Sequence, residues 1–192
     1  VDLSYNDGAN PANALKPVTA TVVTPADVTI SDAAPFDYLD VATSSSKDQT
    51  FTLTNIGTFN ATSMSGIGLD PPYSFKGGSY PGTGGDCTAT IVNGTPCTIV
   101  VAFSPIVTGV QGDTMDLSYE DGTGSTVTKS RVLTGNGVAP AILDISDGPT
   151  YDFGIQPIGI SVLKTFTVTN NGDFDATALA GVALTAPYTY LG

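Results

Sequence analysis

Residues 51–57 read Phe-Thr-Leu-Thr-Asn-Ile-Gly, and residues 166–172 read Phe-Thr-Val-Thr-Asn-Asn-Gly. In both stretches an apolar side chain alternates with Thr, the period-two pattern of a strand with one buried face. Asn and Gly tolerate positive φ, so Asn55 and Gly57 are expected to end the strand in a sharp turn.

Outward from these stretches, a constant shift of 115 pairs Phe36–Gly77 with Tyr151–Gly192 and leaves 16 identities in 42 pairs. Pro25 and Ser31-Asp32 recur as Pro140 and Ser146-Asp147, and Asp2-Leu3-Ser4-Tyr5 recurs as Asp116-Leu117-Ser118-Tyr119 at a shift of 114. A one-residue change in a turn accounts for the difference. The chain is therefore expected to hold the last hairpin of one unit in residues 1–23, a complete unit in 24–138 and the opening of another in 139–192. The third copy has no equivalent of Gly78–Thr114, so the chain reads as a window on a longer tandem array. A period of 115 residues suits a small sandwich domain.

Within the complete unit the alternation predicts strands at Val28–Ile30, Phe36–Val41, Gln49–Asn55, Thr62–Leu69, Tyr73–Phe75, Cys87–Val92, Cys97–Phe103, Met115–Tyr119 and Thr126–Leu133. Before it, Asp2–Tyr5 reads as a strand, Asn6–Asn13 as a turn and Pro17–Val23 as the returning strand. Short strands punctuated by Gly, Pro, Asn and Asp, with no sustained helical periodicity, imply an all-β, Greek-key, immunoglobulin-like sandwich. Cys97, Ile99, Val101 and Phe103 share one face, which marks their strand as central. Thr126–Leu133 alternates too poorly to assign a buried face. The junction at Thr19–Pro25 is β-branched and reads as stiff, whereas the one at Thr134–Pro140 carries two glycines and reads as more flexible.

Six basic and eighteen acidic residues with no His give a net charge of −12, which disfavours nucleic acid and anionic membranes as partners. No apolar run reaches the roughly 18–20 residues of a membrane span. Cys87 and Cys97 are the only cysteines, and a turn-like segment between them would bring them together as a disulfide. A metal or redox pair would need a His or a further Cys to assist it. The disulfide in turn implies an oxidising compartment, outside the cell or on its surface.

Asp152-Phe153-Gly154 with Gly159, followed by Phe166–Gly172, resembles the opening of bacterial choice-of-anchor D repeats. Cys87 and Cys97, Phe103-Ser104-Pro105 with Gly109, and Leu133–Gly137 resemble the close of one. Such repeats are similar to abnormal-spindle and hydin type (ASH) domains, and the resemblance implies immunoglobulin-like modules that serve as spacers or binding surfaces. The complete unit departs from the opening pattern, with Leu39 in place of Gly154 and Ser44 in place of Gly159. The backbone of that loop is accordingly expected to differ between units.

A triad nucleophile lacks a His base here, and the acids sit mostly in turn contexts such as Asp7, Asp121 and Asp147, so no enzymatic activity and no cofactor are expected. Asp113, Asp116, Glu120 and Asp121 lie near one turn and are the candidates for a calcium site, although no loop has EF-hand spacing. Asn60-Ala61-Thr62 and Asn93-Gly94-Thr95 match the glycosylation pattern, but no modification is assigned. Two functions stay open. One is a structural repeat of a bacterial cell-surface or secreted fibre or stalk, with neighbouring repeats, or like chains in a filament, as partners. The other is an adhesin or carbohydrate-binding accessory module, for which Tyr73, Tyr80, Tyr188 and Tyr190 are candidate stacking platforms. An exposed, coplanar Tyr73 and Tyr80 would favour binding, whereas a buried Tyr73 would not.

Overall fold

The structure is a computed structural model that describes residues 1–191, so the alignment of Gly192 with Gly77 lies outside the described residues. Strands run in chain order as β1 Asp2–Asn6, β2 Pro11–Leu15, β3 Val28–Ile30, β4 Phe36–Ala42, β5 Lys47–Asn55, β6 Thr62–Ile67, β7 Tyr73–Phe75, β8 Cys97–Phe103, β9 Gly109–Glu120, β10 Thr126–Val138, β11 Leu143–Ile145 and β12 Val168–Asn170. Two four-stranded sheets, β3-β5-β8-β7 and β4-β10-β9-β6, pack face to face as an immunoglobulin-like sandwich. All pairings in it are antiparallel except β4 with β10, which is parallel.

The buried core draws only on residues between Ala26 and Leu133. Phe51 and Leu53 of β5, Ile99, Val101 and Phe103 of β8, and Met115, Leu117 and Tyr119 of β9 are all buried. Each such side chain contributes about 1.5–3 kcal/mol of transfer free energy. Burying a phenol requires a partner for its hydroxyl. Tyr38 donates to the Val101 carbonyl at 2.9 Å, Tyr73 donates to that of Gln111 at 3.0 Å, and Tyr119 accepts from the Val28 amide at 3.1 Å.

Several expectations need correction. β8 is central, lying between β5 and β7, but it is buried on both faces rather than one. The segment 76–85 occupies the edge of β8 beyond β7, with Lys76 N donating to Val100 O and Val100 N donating to Pro81 O. Cys87–Val92 forms no strand: it belongs to a long irregular loop whose Ile91 makes an isolated bridge with Ala61. In the N-terminal piece the return strand is β2, which starts inside the expected turn, and Pro17–Val23 is irregular. The Asp7 carboxylate accepts from the Ala9 and Asn10 amides and closes the hairpin within four residues, Asp7–Asn10. The matching turn between β9 and β10 has five, Asp121–Ser125, which places the one-residue change of shift.

β10 buries Arg131, Leu133, Gly135 and Gly137 and half-buries Val127 and Lys129. The alternation was hard to read because two cations occupy inward positions. Lys129 pairs with Asp27 at the rim at 2.8 Å, and the buried Arg131 donates from Nη2 to Ile30 O at 2.7 Å. The glycines expected to loosen the second junction lie inside this strand. A Cβ on Gly135 would stand 2.7 Å from the Phe103 ring, and one on Gly137 would stand 2.2 Å from Val107 O, so both are requirements of close packing.

Neither Asn55 nor Gly57 adopts positive φ. Gly57 is needed for space instead, because a Cβ there would lie 1.9 Å from Pro25 O. Leu39 and Ser44, by contrast, do adopt left-handed φ of 60° and 66°, close to the 67° and 87° of Gly154 and Gly159. Both positions are therefore left-handed in both copies, and the non-glycine residues carry strain there. In each copy an Asp two residues earlier, Asp37 or Asp152, accepts from the left-handed residue's amide at 2.8 Å.

Replacing Leu39, which is largely exposed, with Gly relieves about 1–2 kcal/mol of left-handed strain against an entropic cost of roughly 0.5–1 kcal/mol. L39G is expected to leave the urea midpoint unchanged or slightly raised. Gly57→Ala must displace backbone and is expected to cost about 2–3 kcal/mol. Equal losses in the two variants would refute this account of both positions.

Candidate functional site

The most completely bonded polar side chain is Asn55, at the end of β5 and fully buried. Its Oδ1 accepts from the Asp27 and Gly57 amides, both at 3.0 Å, and its Nδ2 donates to Phe59 O at 2.7 Å and Ile91 O at 3.2 Å. The Asn93 carboxamide donates to Gly57 O, and Gly94 N donates to Asn55 O at 2.9 Å. The entry strand, the turn after β5 and the long loop therefore meet at one carboxamide. Asn170 repeats three of these bonds, with Ile142 N at 3.0 Å, Gly172 N at 3.1 Å and Phe174 O at 2.6 Å.

Cys87 and Cys97 form a disulfide with Cα atoms 4.9 Å apart. It joins the long loop to the first residue of β8 rather than linking two strands. Beside it, Asp86 Oδ1 accepts from Thr98 N at 2.6 Å and Thr98 Oγ1 at 2.8 Å, and these bonds hold its carboxyl below the usual range. The loop thereby becomes a fixed cover over β8.

The calcium candidates do not converge. Asp113 and Asp116 lie within β9, Glu120 ends it and Asp121 opens the following turn, so the first and last are separated by roughly 25 Å of extended chain. Asp113 accepts from the Asp70 amide, Asp116 from Ser130 Oγ, and Asp121 from the Thr123 amide and hydroxyl. Among the described residues no three His, Cys, Asp or Glu side chains gather as a metal site.

Tyr73 is buried and stacked on Phe103 with centroids 4.8 Å apart, so it offers no platform. Tyr80 is half-buried, set edge-on to Phe75, with its hydroxyl 3.3 Å from Thr88 O. Tyr188 and Tyr190 are exposed. A shallow surface depression is lined by Asp37, Asp40, Lys47 and Asn136. Its polar groups are already bonded within the protein: Asp40 accepts from Asn136 Nδ2, and Lys47 donates to Tyr38 O. Sequence reading missed the Asn55 hub, although the recurrence of Asn at positions 55 and 170 was its visible signal.

No protein-family model and no curated protein matches the chain. Among solved structures, an ASH/PapD-like domain of human CEP192 is similar at 17% identity and a TM-score of 0.42, over 67% of this chain and 96% of that one. A Porphyromonas gingivalis W83 protein of unknown function matches at 11% identity and a TM-score of 0.46, over 61% of this chain and 49% of that one. The Vibrio cholerae protease VesB matches at 14% identity and a TM-score of 0.42, over 57% of this chain and only 31% of that one. These likenesses carry no chemistry to this chain, and its architecture stands on its own strand pairing.

Two predictions concern this region. Replacing both cysteines with Ser, or reducing the bridge, should lower unfolding free energy by about 2–3 kcal/mol through the entropy of a ten-residue closure. An unchanged denaturant midpoint under reductant would contradict this. Burial pushes the Tyr73 and Tyr80 hydroxyls up to about 12. Because the folded state then holds protons that the unfolded state releases near pH 10, stability should be intact below about pH 10 and fall as pH rises toward 12. Tyrosinate absorbance followed beside denaturation midpoints checks the sign.

Proposed function

We propose that this chain is a structural repeat segment of a bacterial cell-surface or secreted fibre or stalk protein, built of end-to-end modules of the choice-of-anchor D kind. Its task is mechanical spacing, and catalysis has no part in this reading. The observation that carries it is the parallel pairing of β4 with β10. The first is reached from the N-terminal side, and the second leads out to the C-terminal side. Tension on the chain pulls two parallel strands in opposite senses, so their ladder is loaded together rather than bond by bond. Its register runs from Leu133 opposite Phe36 to Val138 opposite Ala42 and is extended by Thr43 N donating to Val138 O at 2.9 Å.

The junction after β10 supports the same reading. β10 ends at Val138, and Ala139 already bonds to the following copy, its carbonyl accepting from Asp173 N at 3.1 Å and its amide donating to Asp173 Oδ2 at 2.9 Å. No free linker intervenes there, whereas at the N-terminal junction residues 16–23 are irregular and exposed. The edge strands are β3 and β7, of three residues each, and β4 and β6, which carry left-handed Leu39 and Ser63 and an interrupted register, so none offers a long regular edge for lateral pairing. Neighbouring repeats are thus better partners than sideways filament contacts. The disulfide agrees with an oxidising, extracellular setting. The adhesin or carbohydrate-binding alternative loses its best platform with the burial of Tyr73.

Stretched by its ends in a force instrument, the chain should give one dominant unfolding event, from residues 24–138. After reduction the released length should grow by roughly 35 Å, the extended span of the ten residues closed by the bridge. Gradual yielding at low force without a discrete event would remove the mechanical reading.

A further inference from the structure

A glycine leaves its own backbone nitrogen unhindered, so an Asn before it is the side-chain amide most open to attack by the following residue. The sequence carries this dipeptide at Asn93-Gly94, Asn136-Gly137 and Asn171-Gly172. The first lies in the loop that closes the Asn55 hub, inside the ring made by the Cys87–Cys97 bridge.

Solvent access does not hold this site back. Gly94 sits in a turn closed by Thr95 N donating to Val92 O at 3.2 Å, its φ is 68°, and nothing lies within 4 Å of the place where a Cβ would stand. Asn93 is exposed as well. Bonding is what restrains the pair. The nitrogen that would attack, Gly94 N, donates to Asn55 O at 2.9 Å, and the carboxamide that would be attacked donates to Gly57 O. Both acceptors belong to the one turn after β5, so the two bonds hold or part together. The ends of the loop are tied by the bridge and by the Asp86 and Cys87 amides, which both donate to Thr98 O at 3.1 Å. Asn136-Gly137 offers the same chemistry in another setting. It lies within β10, with Asn136 opposite Val110 of β9 on one side and Asp40 of β4 on the other, and reacts only when that ladder opens.

We propose that Asn93-Gly94 is a deamidation site gated by the closed loop and its bridge, and that one event there dismantles the Asn55 hub. Once the loop is released, hydroxide removes the Gly94 amide proton and the nitrogen lone pair forms a bond to Asn93 Cγ. The bond from Cγ to the carboxamide nitrogen breaks, and that nitrogen takes a proton from water and leaves as ammonia. A second water opens the cyclic imide at either carbonyl. The product is an aspartate or, with the backbone rerouted through the side chain, an isoaspartate. Either one replaces the donor to Gly57 O with a carboxylate, so two acceptors face each other with no proton between them. The loop therefore cannot close again as before, and the change runs one way. The inference rests on the hub bonds and not on the mechanical reading.

The test incubates the intact chain in mildly alkaline buffer in three states: oxidised and native, native with a thiol reductant, and unfolded in urea. Peptide mass mapping follows the conversion of amide to acid at Asn93 and Asn136. In the oxidised native chain both sites should convert at least roughly tenfold more slowly than in urea. Reductant should raise the Asn93 rate by roughly tenfold or more and leave Asn136 at its native rate. The variant Asn93→Asp, which installs the product directly, should speed amide exchange at Gly94 by roughly tenfold or more. Conversion of Asn93 in the oxidised native chain as fast as in urea, a rate indifferent to the bridge, equal acceleration of both sites on reduction, or unchanged Gly94 exchange in the variant would each overturn the proposal. All of these measurements are made without load, so their failure leaves the force experiment untouched.

Discussion

The buried carboxamide of Asn55 is the constraint from which the arrangement of this module follows. An amide in an apolar interior is costly unless both its oxygen and its nitrogen are bonded. Here four backbone groups, from Asp27, Gly57, Phe59 and Ile91, meet that demand together. They come from the entry segment, the turn and the loop, so none of the three can shift without leaving a buried polar group unpaired. The absence of a side chain at Gly57 is part of the same arrangement, since only then can the Pro25 carbonyl close over the turn.

From that fixed corner the rest of the sandwich is assembled by packing. β5 leaves the hub carrying Leu53 and Phe51 into the core, β8 lies beside it, and the loop pinned by Asn93, the disulfide and Asp86 seals the outer side of β8. A strand covered on both sides cannot be an edge, which protects the most apolar segment of the chain from pairing with other molecules. The edges fall to the three-residue β3 and β7 and to β4 and β6, the latter two each distorted by a residue in the left-handed region. The parallel contact of β4 with β10 then brings the beginning and end of the unit into one ladder.

The second copy separates local from tertiary causes. Its turns, Asx bonds and aromatic contacts persist without β8, so they are encoded within short stretches such as Asp152-Phe153-Gly154 and Thr169-Asn170-Asn171-Gly172. Burial does not persist, because it needs a strand from elsewhere in the chain.

Taken alone, the amino-acid sequence determined a recurrence at a shift of 115, the strands Val28–Ile30, Tyr73–Phe75 and Cys97–Phe103 to the residue, the central place of the last and the pairing of the two cysteines. These are carried by alternation and by recurrence, which are local or self-evident in a linear chain. Only the tertiary structure decided that Gly57, Gly135 and Gly137 are small for want of room, that Cys87 sits in a loop, that Lys129 and Arg131 face inward, and that Asn55 is a hub. Each depends on a contact with residues far along the chain, 28 and 36 positions away for two of the Asn55 bonds, and no short-range pattern records which distant backbone will arrive beside a given side chain.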